Sequence, residues 1–175
     1  MTQDILDEQR RHMALLLEAI QRCAWFLHQS EAKIDWPIDP EWLAERKKDV
    51  DLFETLAAIN ERFAKLQDSL ASSMRHSALL AAEPSDSFLK ILAFFEKQGV
   101  IESISDWQRC RAVRNMAAHD YATSYAEIAE HFNLLHELSV VLLLASRRII
   151  AWSAEQLAIS PASPDFSAEF DSIFT

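Results

Sequence analysis

The sequence predicts an all-α protein: an up-and-down antiparallel helical bundle with a four-helix core and one additional helix. Three observations carry that expectation. The 175 residues include a single glycine, Gly99, and half of them are apolar, a composition rich in helix formers. The five prolines, at 37, 40, 84, 161 and 164, all lie outside the strongly periodic segments. Within those segments apolar residues recur at three and four positions, the period of a helix with one buried face.

The first helix is expected from about Asp4 to Ser30, with Met13, Leu16, Leu17, Ile20, Ala24 and Leu27 on its apolar face. Residues 31–40 read as a connection, because a residue before proline avoids the α region and both Trp36 and Asp39 precede one. Asp39-Pro40 suits an N-cap followed by proline at the first helical position. A long second helix is expected from Pro40 to Ser72 or beyond. Leu52, Leu56, Ile59, Phe63, Leu66 and Leu70 form a heptad-like seam along it, suited to a core stripe or to self-association.

A third helix follows Pro84, starts at Ser85 or Ser87, and buries Phe88, Ile91, Leu92 and Phe95 before stopping at Gly99. A glycine there is explained by a left-handed helix cap alone. No glycine-rich loop exists, so phosphate-loop and dinucleotide folds are excluded. Ser103 or Ser105 caps a fourth helix. Ser124-x-x-Glu127 is a capping box for a fifth, which runs to about Leu157 and, being apolar all round from Val140 to Ala145, is expected at the centre. Residues 1–159 are read as one domain, and residues 160–175 as an acidic, weakly ordered tail.

The bounds on function are partly negative. No run of apolar residues is long enough to span a membrane, and the acidic start lacks the pattern of a signal peptide, so a cytoplasmic location is expected. Cys23 and Cys110 lie on apolar helical faces and read as free thiols. His131 and His136 lack His-x3-His, HExxH and Glu-x-x-His spacing, so neither a metal nor another cofactor is expected. A net charge of −10 repels nucleic acid at long range and counts against a protein that coats RNA or DNA. A local basic pocket remains compatible with it. Arg109, Arg111 and Arg114 are clustered in sequence, and Arg62 and Arg75 would join them if the second helix packs alongside.

The densest chemistry lies in Arg111-Ala-Val-Arg114-Asn115-Met-Ala-Ala-His119-Asp120-Tyr121. On an ideal helix Cys110, Val113 and Ala117 share one face, with Trp107 and Met116 at its edges. Arg114 and Tyr121 fall just inside the Trp107 edge. Arg111, Asn115 and His119 make a neighbouring stripe. Arg114 is therefore expected to be partly buried and to need a carboxylate, for which Asp68 and Glu61 are candidates. Each residue taken singly has a packing role open to it. Together they supply a cation, an acid/base group and a hydroxyl. Arg114 and His119 are five apart and diverge by about 140° on a straight helix, so they converge only if the helix loosens or two copies meet across a dimer.

Arg114-x4-His119-x-Tyr121, with Asn115 after the arginine and Asp120 before the tyrosine, resembles the signature of the HEPN superfamily in its HepT-like branch. The helix from Phe88 to Lys97, the Gly99-Val100-Ile101 turn and Trp107 are similar to the pattern that precedes this motif, and the resemblance spans roughly residues 50–150. It implies a HEPN-like bundle and a metal-independent endoribonuclease, usually the toxin of a bacterial toxin–antitoxin pair. The implied catalytic residues are Arg114 and His119, supported by Asn115, Asp120, Arg111 and Tyr121. The implied partners are an RNA substrate such as tRNA or mRNA, a second copy in a homodimer, and a nucleotidyltransferase antitoxin, which in some pairs adds AMP to the tyrosine, here Tyr121. The alternative is a non-catalytic HEPN-like subunit that binds a nucleotide or a nucleotidyltransferase, a role the negative charge suits. A third reading is a plain bundle in which Arg114 only packs.

Overall fold

The computed structural model describes residues 2–118 and 124–175. Among them are seven helices: α1 (Thr2–Glu31), α2 (Pro40–Glu45), α3 (Val50–Leu80), α4 (Phe88–Lys97), α5 (Ile104–Ala118), α6 (Tyr125–Leu157) and α7 (Ser167–Ser172). No strand occurs among the described residues.

Side-chain bonds between helices set their directions. His12 on α1 meets His76 on α3, while Cys23 lies 3.3 Å from the Arg62 carbonyl, so α1 and α3 are antiparallel. Arg10 near the start of α1 donates to the Leu157 carbonyl at 2.9 Å, and Glu31 at its end reaches Ser139, so α1 and α6 are antiparallel too. α5 runs against α6: Cys110 meets the Leu138 carbonyl, while Glu102, just before α5, pairs with Arg148 further along α6. α1, α3, α5 and α6 thus alternate in direction, with α4 crossing between α3 and α5.

The main core cluster draws on all seven helices, and a smaller cluster of Met13, Leu17 and Ile159 lies beside it. Met13, Leu17, Ile20, Ala24 and Leu27 are fully buried, as the period of α1 requires. The α3 seam from Leu52 to Leu70 is buried inside this bundle, so it serves as a core stripe. Trp107, Cys110 and Val113 bury the inner face of α5. Met116 departs from the expected pattern: it is 58% exposed. Val140 is 55% exposed, so α6 is not enclosed on all sides. Four neighbouring helices cover most of α6 but leave one line of it to solvent.

The expected second helix is split. Asp39 caps α2 with hydrogen bonds from the Glu41 and Trp42 amides, both 2.9 Å, but α2 ends at Glu45. Asp49 then adopts extended backbone and caps α3 by accepting from the Leu52 amide at 3.0 Å. An aspartate oxygen that satisfies the first amides of a new helix competes with continuation of the old one. The other caps lie where the sequence places them. Ser87 accepts from the Lys90 amide, Ser103 from the Asp106 amide, and Ser124 with Glu127 closes a capping box. Gly99, at φ +73°, ends α4: its amide bonds the Glu96 carbonyl and that of Val100 bonds Phe95, a Schellman pair.

Residues 160–175 do not form the weakly ordered tail expected from composition. The Ala162 amide bonds the Ala14 carbonyl, α7 packs on α1, and Phe170 is buried, with Ile173 and Phe174 against the core. Spaced aromatics gave this segment enough apolar area to dock.

The connection from 31 to 40 is pinned to α6. Asn133 accepts from the Ile38 amide at 2.7 Å and donates to the Ile38 carbonyl at 3.0 Å. Glu31, with its side chain only 6% exposed, accepts from the Ser139 hydroxyl at 2.7 Å and lies 3.2 Å from His136 Nδ1. The His136 ring stacks on Trp36, centroids 4.2 Å apart and planes within 4°. Burial raises the Glu31 pKa above the ordinary carboxylate value, against the lowering effect of its bonds to Ser139 and His136.

Candidate functional site

The candidate site is a cleft of about 460 Å³ between α3 and α5. Its α5 wall is positioned by local chemistry. Ser103 caps the helix and also donates to Asp106 at 2.9 Å, and Trp107, Cys110 and Val113 anchor the opposite face. That anchoring turns Arg111, Arg114 and Asn115 toward α3, where all three line the cleft.

Arg114 reaches across it. Its Nη2 donates to Asp68 Oδ2 at 2.9 Å and its Nη1 to Asn115 Oδ1 at 3.3 Å. The Arg114 side chain is 36% exposed and that of Asp68 60%, so the pair sits at the cleft wall rather than in the core. Arg114 Nε is shielded from solvent and has no hydrogen-bond partner among the described residues. Of the two carboxylates considered from the sequence, Asp68 is the partner. Glu61, two turns earlier on α3, pairs with Lys65 at 3.0 Å instead. Asn115, placed by the sequence on one stripe with His119, contacts Arg114. His119, Asp120 and Tyr121 lie outside the described residues, whose α5 ends at Ala118.

The cleft draws its charge from a different set of arginines than sequence proximity suggests. Arg109 faces away, 3.5 Å from Asp106 and 3.6 Å from Glu137. Arg62 bonds the Phe26 carbonyl and the Ser30 hydroxyl at the other side of α3. Arg75, distant in sequence, does line the cleft, beside Phe88 and the edge of Trp107. Among the described residues three guanidinium groups, those of Arg75, Arg111 and Arg114, therefore face one carboxylate, Asp68, on a chain whose net charge is −10. Fixed cations in a concave, partly desolvated wall focus potential, so this cleft attracts anions although the body repels them. Phe88 was read from sequence only as an apolar helix face. Its contact with Arg75 depends on how α4 crosses α3, which no local spacing reports.

Neither cysteine belongs to this chemistry. Burial pushes the Cys23 thiol up to about 11 and the Cys110 thiol up to about 12, leaving both protonated and poorly nucleophilic at neutral pH. Among the described residues no group of three or more His, Cys, Asp or Glu side chains could hold a metal ion. No described helix is long and apolar enough to cross a membrane. Comparisons with protein families, with curated proteins and with solved structures find no match to this chain.

Proposed function

We propose that this protein is a metal-independent endoribonuclease of the HEPN superfamily, HepT-like branch, acting as the toxin of a bacterial toxin–antitoxin pair. The observation that carries the reading is the cationic α3–α5 cleft, with Arg114 held in its wall five residues before His119. Arg114 binds the scissile phosphate through its fork of donors and stabilises the added charge of the phosphorane. His119 transfers the proton. The ribose 2′-oxygen attacks phosphorus as its proton is removed, the bond to the 5′-oxygen breaks, and that oxygen takes up a proton. The products are a 2′,3′-cyclic phosphate and a 5′-hydroxyl. Asn115 and Asp120 position the reacting groups, Arg111 adds charge, and Tyr121 either contacts the phosphate or receives AMP from a nucleotidyltransferase antitoxin. Positions 114 and 119 would diverge on a straight helix, and of the two ways to bring them together, a loosened helix end or a second copy, the resemblance to HEPN proteins favours a cleft completed by two protomers.

The test is cleavage of a labelled tRNA pool in EDTA by wild type, His119→Ala and Arg114→Ala. Cleavage by wild type alone, leaving cyclic phosphate ends, is the expected result. Clean 3′-hydroxyl ends, or equal cleavage by all three proteins, would sink it. The second reading, a non-catalytic subunit that binds a nucleotide or nucleotidyltransferase, is favoured by the −10 charge and by Asp68 already occupying Arg114. Its mark is partner binding that survives His119→Ala, with no cleavage by an unmodified wild type.

A further inference from the structure

The cleft has a second end that the chemistry above does not use. Arg75 lies seven residues after Asp68, two turns and about 10 Å further along α3, and lines the same cleft. Its guanidinium carbon sits 4.2 Å from the centre of the Phe88 ring. Phe88 in turn meets the buried Trp107 in an edge contact, centroids 6.2 Å apart. Trp107 is seven residues before Arg114 on the antiparallel α5, so the two helices mark the same two ends: Asp68 and Arg114 at one, Arg75 and Trp107 at the other, with Arg111 between.

A guanidinium over an aromatic face is held by the ring's quadrupole and keeps its N–H donors. Among the described residues no carboxylate or carbonyl pairs with Arg75 or Arg111, whereas Arg114 has Asp68. The end remote from Arg114 therefore holds a fixed cation with unused donors beside an aromatic wall, the combination that binds single-stranded nucleic acid without reading its sequence. A volume of about 460 Å³ suits one or two nucleotides and is far too small for a duplex.

We propose that Arg75, clamped on Phe88 and assisted by Arg111, is a second phosphate subsite that grips single-stranded RNA away from the phosphate at Arg114. The proposal rests on the nuclease reading for which phosphate Arg114 takes, but its own test needs no chemistry. A labelled 2′-O-methyl oligoribonucleotide, which lacks the attacking hydroxyl, is titrated in EDTA over a salt series with wild type, Arg75→Ala, Arg75→Lys and the surface control Arg11→Ala. Cleavage of the unmodified RNA is followed in parallel.

Arg75→Ala is expected to weaken binding on the order of threefold to tenfold and to lower the slope of log affinity against log salt by about 0.7. Arg75→Lys keeps the slope but loses part of the affinity, because the planar clamp is gone. Arg11→Ala matches wild type. If Arg75→Ala binds like wild type while cleavage is present, the subsite is overturned and the nuclease reading stands. If binding depends on Arg75 and nothing is cut, the subsite stands and the nuclease reading falls. A wild type that ignores the oligonucleotide but takes up a polyglutamate peptide overturns both, and gives the cleft to an acidic protein. A circular dichroism melt of each variant separates loss of a contact from loss of fold.

Discussion

Replacing Glu31 by glutamine keeps the shape of the most buried carboxylate among the described residues and removes its charge. In the wild type one oxygen accepts from Ser139 at 2.7 Å and lies 3.2 Å from His136 Nδ1, with His28 the other titratable group acting on it. Burial is the largest effect and raises the pKa above its ordinary 4.5. The native state therefore holds this proton more tightly than the unfolded chain does. Stability from this group is fully present below the unfolded value and is lost as pH rises from about 4.5 through the native value, with a slope of at most about 1.4 kcal/mol per pH unit. Glu31→Gln has no such loss, and its amide oxygen can still accept from Ser139. Its stability relative to wild type should climb across that window, ending at neutral pH equal to wild type or ahead by on the order of 1 kcal/mol. Glu31→Ala instead leaves a void and forfeits both bonds. The Ser139 hydroxyl can then turn to the Leu135 carbonyl, 2.9 Å away, and His136 is 38% exposed, so the cost is held to about 1–3 kcal/mol. Urea unfolding of the three proteins between pH 4.5 and 8 reads all of this. A Gln variant that falls behind wild type as pH rises would refute the reasoning, because His136 would then outweigh burial.

Two further outcomes follow from the same geometry. Asp68→Asn removes a pair whose side chains are 36% and 60% exposed, so solvent screening limits the cost to less than about 1 kcal/mol. RNA affinity should rise by at most about fivefold as the competing carboxylate disappears, and a fall measured by the same titration would show that Asp68 holds Arg114 ready rather than occupied. Ala158 ends α6 at φ 52° and ψ 42°, a left-handed conformation that glycine adopts without strain. Ala158→Gly should gain roughly 0.5–1 kcal/mol, or about 1–4 °C in Tm by calorimetry, and a lower Tm would mean that the methyl group contributes packing instead.

Features that depend on neighbours within one or two turns were legible in the sequence. The caps at Asp39, Ser87, Ser103 and Ser124, the stop at Gly99, and the buried stripes of α1 and α3 are of this kind. Their physics is local: a side-chain oxygen reaches an amide two or three residues on, and a 3.6-residue period gathers apolar groups on one face. The helical break at residues 46–49 was missed although Asp49 is a good cap, because the heptad seam that starts at Leu52 masked it. Met116 was placed at a buried edge by the same periodicity. It is exposed because no described element covers that side of α5.

What the tertiary structure alone decided is pairing across helices. Asp68 and Glu61 are equivalent by spacing, two turns apart on one face of α3, and only the antiparallel register of α5 delivers Arg114 to Asp68. The same register brings Arg75 into the cleft and turns Arg62 and Arg109 away from it. The burial of Glu31 and the docking of Phe170 likewise arise only when distant segments close over them. The all-α class follows from the sequence because the signals of a helix, its caps and the period of its apolar face, are written within one segment even though packing supplies most of its stability. The site does not, because its charge balance is set by which helix faces meet, and a long side chain swept a few ångströms along a neighbouring helix changes its partner.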